Sequence, residues 1–156
     1  MRTPPSSEGN TCEFRVGRLM EIRVPNGYRT ADDVDRMVAR MTSLSLSLAR
    51  SEKFIIAADW RKVSVLAPEV AEGVQKMLAL SNARVIRSSI LILPERSLTD
   101  LQVHRLVREA DNPNRKYFTH PQHQYAWLSE VLTAPEKERL AQFLEIEAEP
   151  PASVKA

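Results

Sequence analysis

The stretch FIIAADW, residues 54–60, decides the fold. A strand with one face in water alternates apolar and polar side chains, but this run has no polar residue before Asp59. Such a run is typical of a strand covered on both faces, as at the centre of a parallel sheet flanked by helices. Ligand-binding loops of these sheets follow the carboxyl ends of the strands, so the segment from Asp59 onward is the first candidate site.

The sequence before this strand predicts a hairpin and a helix. Apolar and charged residues alternate through residues 12–24 and change phase at Gly17-Arg18, which predicts two antiparallel strands with a tight turn. Thr30 is the expected N-cap of a helix, since acids follow in its first turn. Its apolar stripe continues from Val34 to Leu48, where LSLSL is read as helix rather than strand.

The sequence after it alternates helices and strands. Pro68 opens a helix, residues 88–93 form a second buried strand, and further helices begin near Ser97, at Pro121 and after Thr133. Residues 115–118 are a short edge strand between the helix that begins near Ser97 and the helix that begins at Pro121. The order β-β-α-β-α-β-α-β-α-α predicts one α/β domain with a mostly parallel sheet of about five strands, an N-terminal hairpin and a C-terminal helix pair.

Composition sets the boundaries and excludes some classes of partner. The 156 residues suit one domain at 11–147, with disordered ends at 1–10 and 148–156, where little can be buried. A formal charge of +2 gives no overall field for nucleic acid. The chain has no apolar run of about 18 residues and no signal-like start. We therefore expect a cytoplasmic protein that neither binds nucleic acid nor inserts into a membrane.

No catalytic or metal-binding motif stands out. His120 and His123 have a spacing that two metal ligands could use, but no third ligand follows at a diagnostic distance. His104 is read as a boundary residue, and Cys12 as a half-buried strand residue. An enzyme would need Asp59 to converge with a histidine in one pocket. The sequence predicts no catalytic residue, metal or cofactor.

Basic residues are densest in the second half of the chain. They are interleaved with acids and lack the aromatic spacing of a single-strand nucleic-acid binder, so they are interpreted as a solvated face. These residues are Arg84, Arg87, Arg105, Arg108, Arg115 and Lys116.

Three local patterns add a resemblance. They are the buried strand IIAAD at 55–59, the strand ILIL at 90–93, and RKYFT at 115–119 followed by YAWL at 125–128. In their order and spacing, over residues 14–132, they resemble STAS-like domains, typified by bacterial anti-sigma-factor antagonists, and the related lipid-binding STAS/SEC14 group. The resemblance implies a non-enzymatic protein-interaction module in bacterial regulation or signalling. A small-molecule or lipid-binding domain is the alternative.

The family's phosphorylation switch is not expected here. In switching antagonists, a phosphorylatable serine stands at the start of the helix after the central strand, where this chain has Ala67 or Pro68. Ser64 is the only hydroxyl in the loop and is interpreted as an ordinary loop residue.

The predicted contact surface is the loop after the central strand with the start of the next helix. Another protein is the expected partner, and pairing of two copies through a sheet edge is a further alternative. Asp59 either orients this loop for binding or simply pairs with Arg61, and Trp60 suits a partner surface as well as it suits packing. The predicted contact residues are Asp59, Trp60, Arg61, Lys62, Ser64 and Glu69.

Overall fold

The computed structural model describes residues 9–94 and 97–147, and the predicted disordered segments lie outside it except for residues 9 and 10. The order of helices and strands is the predicted one. The strands are β1 Thr11–Val16, β2 Leu19–Arg23, β3 Phe54–Asp59, β4 Val85–Leu91 and β5 Arg115–Phe118. The helices are α1 Ala31–Leu46, α2 Pro68–Ser81, α3 Ser97–Ala110, α4 Pro121–Ser129 and α5 Ala134–Leu144.

The five strands form one sheet in the order β1-β2-β3-β4-β5. The β1–β2 pair is antiparallel, and every other pair is parallel. Strand β3 lies in the middle, and its residues from Phe54 to Ala58 are all buried. The predicted α/β class is confirmed, as is the central strand covered on both faces.

Helices cover the two faces of the sheet unequally. The strand order advances in one direction, so right-handed crossovers place α1, α2 and α3 on the same face. Helices α4 and α5 cover the other. Side chains of β3 alternate between the two cores: Phe54, Ile56 and Ala58 belong to the first, and Ile55 and Ala57 to the second.

Local signals explain several helix ends. The Thr30 hydroxyl accepts a hydrogen bond from the Asp33 N–H at 3.3 Å, and the Asp33 carboxylate accepts one from the Thr30 N–H. Pro68 and Pro121 occupy first turns, where the missing N–H costs nothing. Helix α1 continues to Leu46, so the helical interpretation of LSLSL holds for its first three residues.

Strand β4 begins three residues before the prediction and ends two residues earlier. Val85 pairs with Phe54, and Arg87 lies within the strand despite its charge. The Arg87 guanidinium leaves the sheet towards α4, where it donates to the Trp127 carbonyl at 2.6 Å and to Glu130 at 2.8 Å. A charged residue fits this strand because α4 supplies its partners.

The Arg115 side chain is only 3% exposed, so its assignment to a solvated face is wrong. Its guanidinium donates to three neutral oxygens: Asn82 Oδ1 at 2.6 Å, Ser81 Oγ at 2.7 Å and Ser88 Oγ at 3.3 Å. Ser81 and Asn82 end helix α2, where the helix dipole favours a cation. Burial lowers the pKa of Arg115 to about 10, which keeps the group charged at neutral pH.

We expect Arg115→Lys to lower the free energy of unfolding by about 2 kcal/mol, because an ammonium cannot reproduce three donors fixed in one plane. Urea denaturation followed by circular dichroism measures the change. Lys116→Arg is the matched control, since Lys116 is exposed on the same strand, and should shift stability by no more than about 0.5 kcal/mol. Equal effects of the two substitutions would contradict this role for Arg115.

Candidate functional site

The candidate site lies at the carboxyl ends of β2, β3 and β4. Backbone hydrogen bonds between these strands continue past their last paired residues. The Val24 N–H donates to the Asp59 carbonyl at 3.3 Å, and the Trp60 N–H donates to the Leu91 carbonyl at 2.8 Å. Residues 60–67 then form the loop that leads into α2. This loop therefore starts at the hydrogen-bonded carboxyl end of the central strand, the position expected for the segment after Asp59.

The inner side of this loop is anchored in the first core. Trp60 is 2% exposed and packs edge-to-face against Tyr28, with ring centroids 5.5 Å apart. Val63 and Leu66 are buried beside the same core. The structure therefore places Trp60 in the packing of the loop and not on the predicted contact surface.

Gln102 of α3 fixes the far end of the loop. Its Oε1 accepts from the Leu66 N–H at 2.8 Å, and its Nε2 donates to the Leu66 carbonyl at 2.9 Å. One side chain thus satisfies both backbone groups of a loop residue, as a neighbouring strand would. The two residues are 36 apart, and no local pattern in the sequence signals the contact.

The outer side of the loop is exposed. Of the predicted contact residues, Lys62 and Ser64 lie there, and Glu69 is exposed in the first turn of α2. Val65 is 53% exposed between them; it lies within the predicted contact segment but is not among the predicted contact residues. On α3, next to Gln102, Leu98 is 68% exposed and Leu101 is 67% exposed. We call this set the loop–α3 surface: Lys62, Ser64, Val65, Glu69, Leu98 and Leu101.

Asp59 forms a two-pronged ion pair with Arg61. Oδ1 accepts from the Arg61 Nε at 2.9 Å and from its N–H at 3.1 Å, and Oδ2 accepts from Nη2 at 2.9 Å. Arg23 Nη1 lies 3.6 Å from Oδ2. Burial alone would raise the pKa of Asp59, but the Arg61 hydrogen bonds and the two cations hold it below its usual value. Asp59 is therefore ionised and holds the Arg61 side chain in one position.

A crevice of about 390 Å³ opens beside this ion pair. It lies where β2 and β4 end against the start of the loop. Its lining is Arg23, Val24, Pro25, Asp59, Arg61, Lys62 and Leu93. Three predicted contact residues, Asp59, Arg61 and Lys62, thus line a concave space.

The histidines lie apart from this crevice, whose described lining contains none. The rings of His120 and His123 are 5.0 Å apart at the start of α4, and His104 packs edge-on to Tyr117. Their convergence with Asp59, which an enzyme of this design would need, is not seen among the described residues. Across residues 9–94 and 97–147, no three potential metal-ligating side chains gather in one place.

Cys12 is buried in the first core. Burial raises the pKa of its thiol to about 12, outweighing the nearby Arg40 charge, so the sulfur is protonated at neutral pH. A protonated thiol is a poor nucleophile. Cys12 is a strand residue as predicted, but it is fully buried, at 1% exposed, and not half-buried.

No helix in the described part of the chain has both the length and the apolar character needed to cross a bilayer. Comparisons with models of protein families, with curated proteins and with solved structures find no match to this chain.

Proposed function

We propose that this protein is a STAS-like interaction module in regulation or signalling, and that it binds another protein through the loop–α3 surface. One observation carries the proposal. The loop is fixed from behind by Trp60, Leu66 and Gln102, while its outer side chains make no contribution to the core. A segment held in one conformation before binding loses little entropy when a partner docks.

The composition of this surface supports the same proposal. Single exposed apolar residues are common on any protein, but Val65 and the pair Leu98 and Leu101 lie on two segments that Gln102 joins. Charged Lys62 and Glu69 flank them in the loop and at the start of α2. An apolar centre with a polar rim is the usual anatomy of a protein–protein interface.

A charge at the centre of this surface should abolish the interaction. We expect immobilised wild-type protein to retain a partner from its native cytosol, and Val65→Asp to retain it at least about tenfold less, because an interface core tolerates a buried unpaired charge poorly. Quantitative mass spectrometry of the retained proteins measures the ratio.

Leu46→Asp is the matched control, because Leu46 is 76% exposed at the end of α1, on another part of the molecule. It should retain the partner as the wild type does. Equal retention by Val65→Asp and wild type would place the interaction elsewhere, provided that both variants show the wild-type denaturation curve.

A small-molecule binder is the second candidate, and the crevice beside Asp59 is the observation that favours it. Its volume of about 390 Å³ lies within the usual range for ligand sites. Four of its seven lining residues are charged, which favours a small polar ligand over the lipid that the SEC14-like alternative implies.

A further inference from the structure

We propose that the crevice between the ends of β2 and β4 binds the phosphate group of a small organic phosphate monoester. Its ligand-binding groups are Arg23, Arg61 and Lys62. This inference does not depend on the proposed protein partner, because the interaction proposed above is centred on Val65 and the α3 leucines. Lys62 is the one residue that both surfaces share.

The two guanidinium groups are held in place before any ligand arrives. The Asp59 carboxylate accepts hydrogen bonds from Nε and Nη2 of Arg61, each at 2.9 Å. Arg23 lies over the Phe143 ring, 4.2 Å from its centroid, and donates to the Phe143 carbonyl at 2.7 Å. Fixed cations bind an anion with a smaller entropic cost than mobile surface side chains do.

The crevice keeps an excess of positive charge after these internal pairs are formed. Its described lining has three cations and one carboxylate, Asp59. Glu145 is not part of that lining, although its carboxylate contributes to the raised pKa of Arg61. Within the described residues, Arg61 Nη1 makes no hydrogen bond, and the Lys62 ammonium makes neither a hydrogen bond nor an ion pair.

The arrangement of donors favours phosphate over carboxylate. A guanidinium binds a carboxylate or a phosphate in bidentate fashion, and Asp59 already occupies the Nε–Nη2 edge of Arg61. The remaining donors come from separate side chains on two strand ends, an arrangement that suits the three oxygens of a tetrahedral dianion better than the two oxygens of a planar carboxylate. Pro25 and Leu93 add an apolar wall that an organic group on the phosphate can contact.

Isothermal titration calorimetry at constant ionic strength tests the assignment with three probes: phenyl phosphate, inorganic phosphate and benzoate. We expect saturable one-site binding of phenyl phosphate, weaker binding of inorganic phosphate and none of benzoate at the same concentrations. Binding of benzoate as tight as phenyl phosphate would overturn the preference for phosphate. Equal affinity for the two phosphates would overturn the assignment of an organic ester.

Charge reversal on opposite ends of β3 locates the site. Lys62→Glu should weaken phenyl phosphate binding by at least about tenfold, since it removes one charge-assisted contact and adds a repulsion. Lys53→Glu makes the same change in net charge just before β3, at the other end of the strand, and should leave the affinity unchanged. Equal weakening by both would overturn the proposal, as would the absence of saturable binding to the wild type.

The Val65→Asp variant separates this site from the protein-binding surface. It should bind phenyl phosphate with wild-type affinity even where it has lost its protein partner. Loss of both activities in a folded Val65→Asp protein would overturn the independence of the two sites.

Discussion

Replacing Trp60 by alanine should lower the free energy of unfolding by about 4 kcal/mol, a cost typical of removing a fully buried tryptophan. Trp60 is the largest of the side chains that are almost completely inaccessible. Its ring fills the first core at the point where β3 turns into the loop, against Tyr28. The cavity left behind would also remove the support for the inner side of the loop.

Urea denaturation followed by circular dichroism measures this loss. Trp127→Ala is the control, because Trp127 is only partly buried on α4, and it should cost about half as much. A loss below about 1 kcal/mol for Trp60→Ala would contradict the packing described here. Trp60 variants are therefore unsuitable for testing a contact surface, since reduced binding would reflect a disturbed loop.

The carboxylate of Glu136 should be the second large contribution to stability. It is buried where α5 begins, against the turn of the β1–β2 hairpin. It accepts from the Arg18 N–H at 2.7 Å, the Arg18 Nη2 at 3.0 Å and the Thr133 N–H at 2.9 Å. Burial alone would raise its pKa, but these hydrogen bonds and the Arg18 charge lower the pKa to about 2.

The pH dependence follows from this lowered pKa. Since the folded value lies below the reference value of 4.5, the contribution is complete above about pH 4.5 and is lost as the pH falls towards 2. The shift corresponds to about 3 kcal/mol. We expect Glu136→Gln to lower the free energy of unfolding by about that amount at pH 7.

Denaturation curves of wild type and Glu136→Gln at pH 7 and pH 3 check this expectation. The difference between the two proteins should shrink at pH 3, because the Glu136 carboxyl of the unfolded wild type, with its reference pKa of 4.5, is mostly protonated there while that of the folded protein stays largely ionised. Glu138→Gln is a control on the same helix, at an exposed position, and should have little effect. A difference that stays constant with pH would contradict the charge-based role of Glu136.

Features with a local cause were predictable from the sequence. The phase change at Gly17 predicted the hairpin turn, and the turn has the positive φ of +59° that favours glycine. Both Thr-x-x-acid patterns form capping boxes, at Thr30 and at Thr133. The apolar run of β3 predicted its central position because burial on both faces leaves no polar alternation.

Contacts between distant segments were not predictable. A Cβ on residue 17 would overlap the Glu136 carboxylate, yet no pattern in the sequence near Gly17 predicts that a side chain from α5 lies against it. Glu21 is buried and paired with Arg139 at 2.7 Å because α5 covers that face of β2. Each of these pairs joins residues more than 100 positions apart, so single-sequence patterns carry no mark of them.

The sequence predicted which segment forms the loop after β3, but it did not separate the buried residues of that loop from the exposed ones. Trp60 continues the alternation of Phe54, Ile56 and Ala58 into the first core, so the strand's period extended by one step would have placed it inside. Val65 was passed over because an apolar loop residue is as consistent with burial as with exposure. The burial of Trp60, Val63 and Leu66, together with the Gln102 contact, decides which side of the loop faces outward.

Site-specific photo-crosslinking tests the central claim most directly, namely that the loop–α3 surface meets another protein. A photoreactive amino acid at position 65 should give, on irradiation in an extract of the native cells, one discrete covalent adduct with a second protein. The same amino acid at position 46, which is also exposed, should give none. Identical adducts from both positions, or an adduct from position 46 alone, would contradict the account.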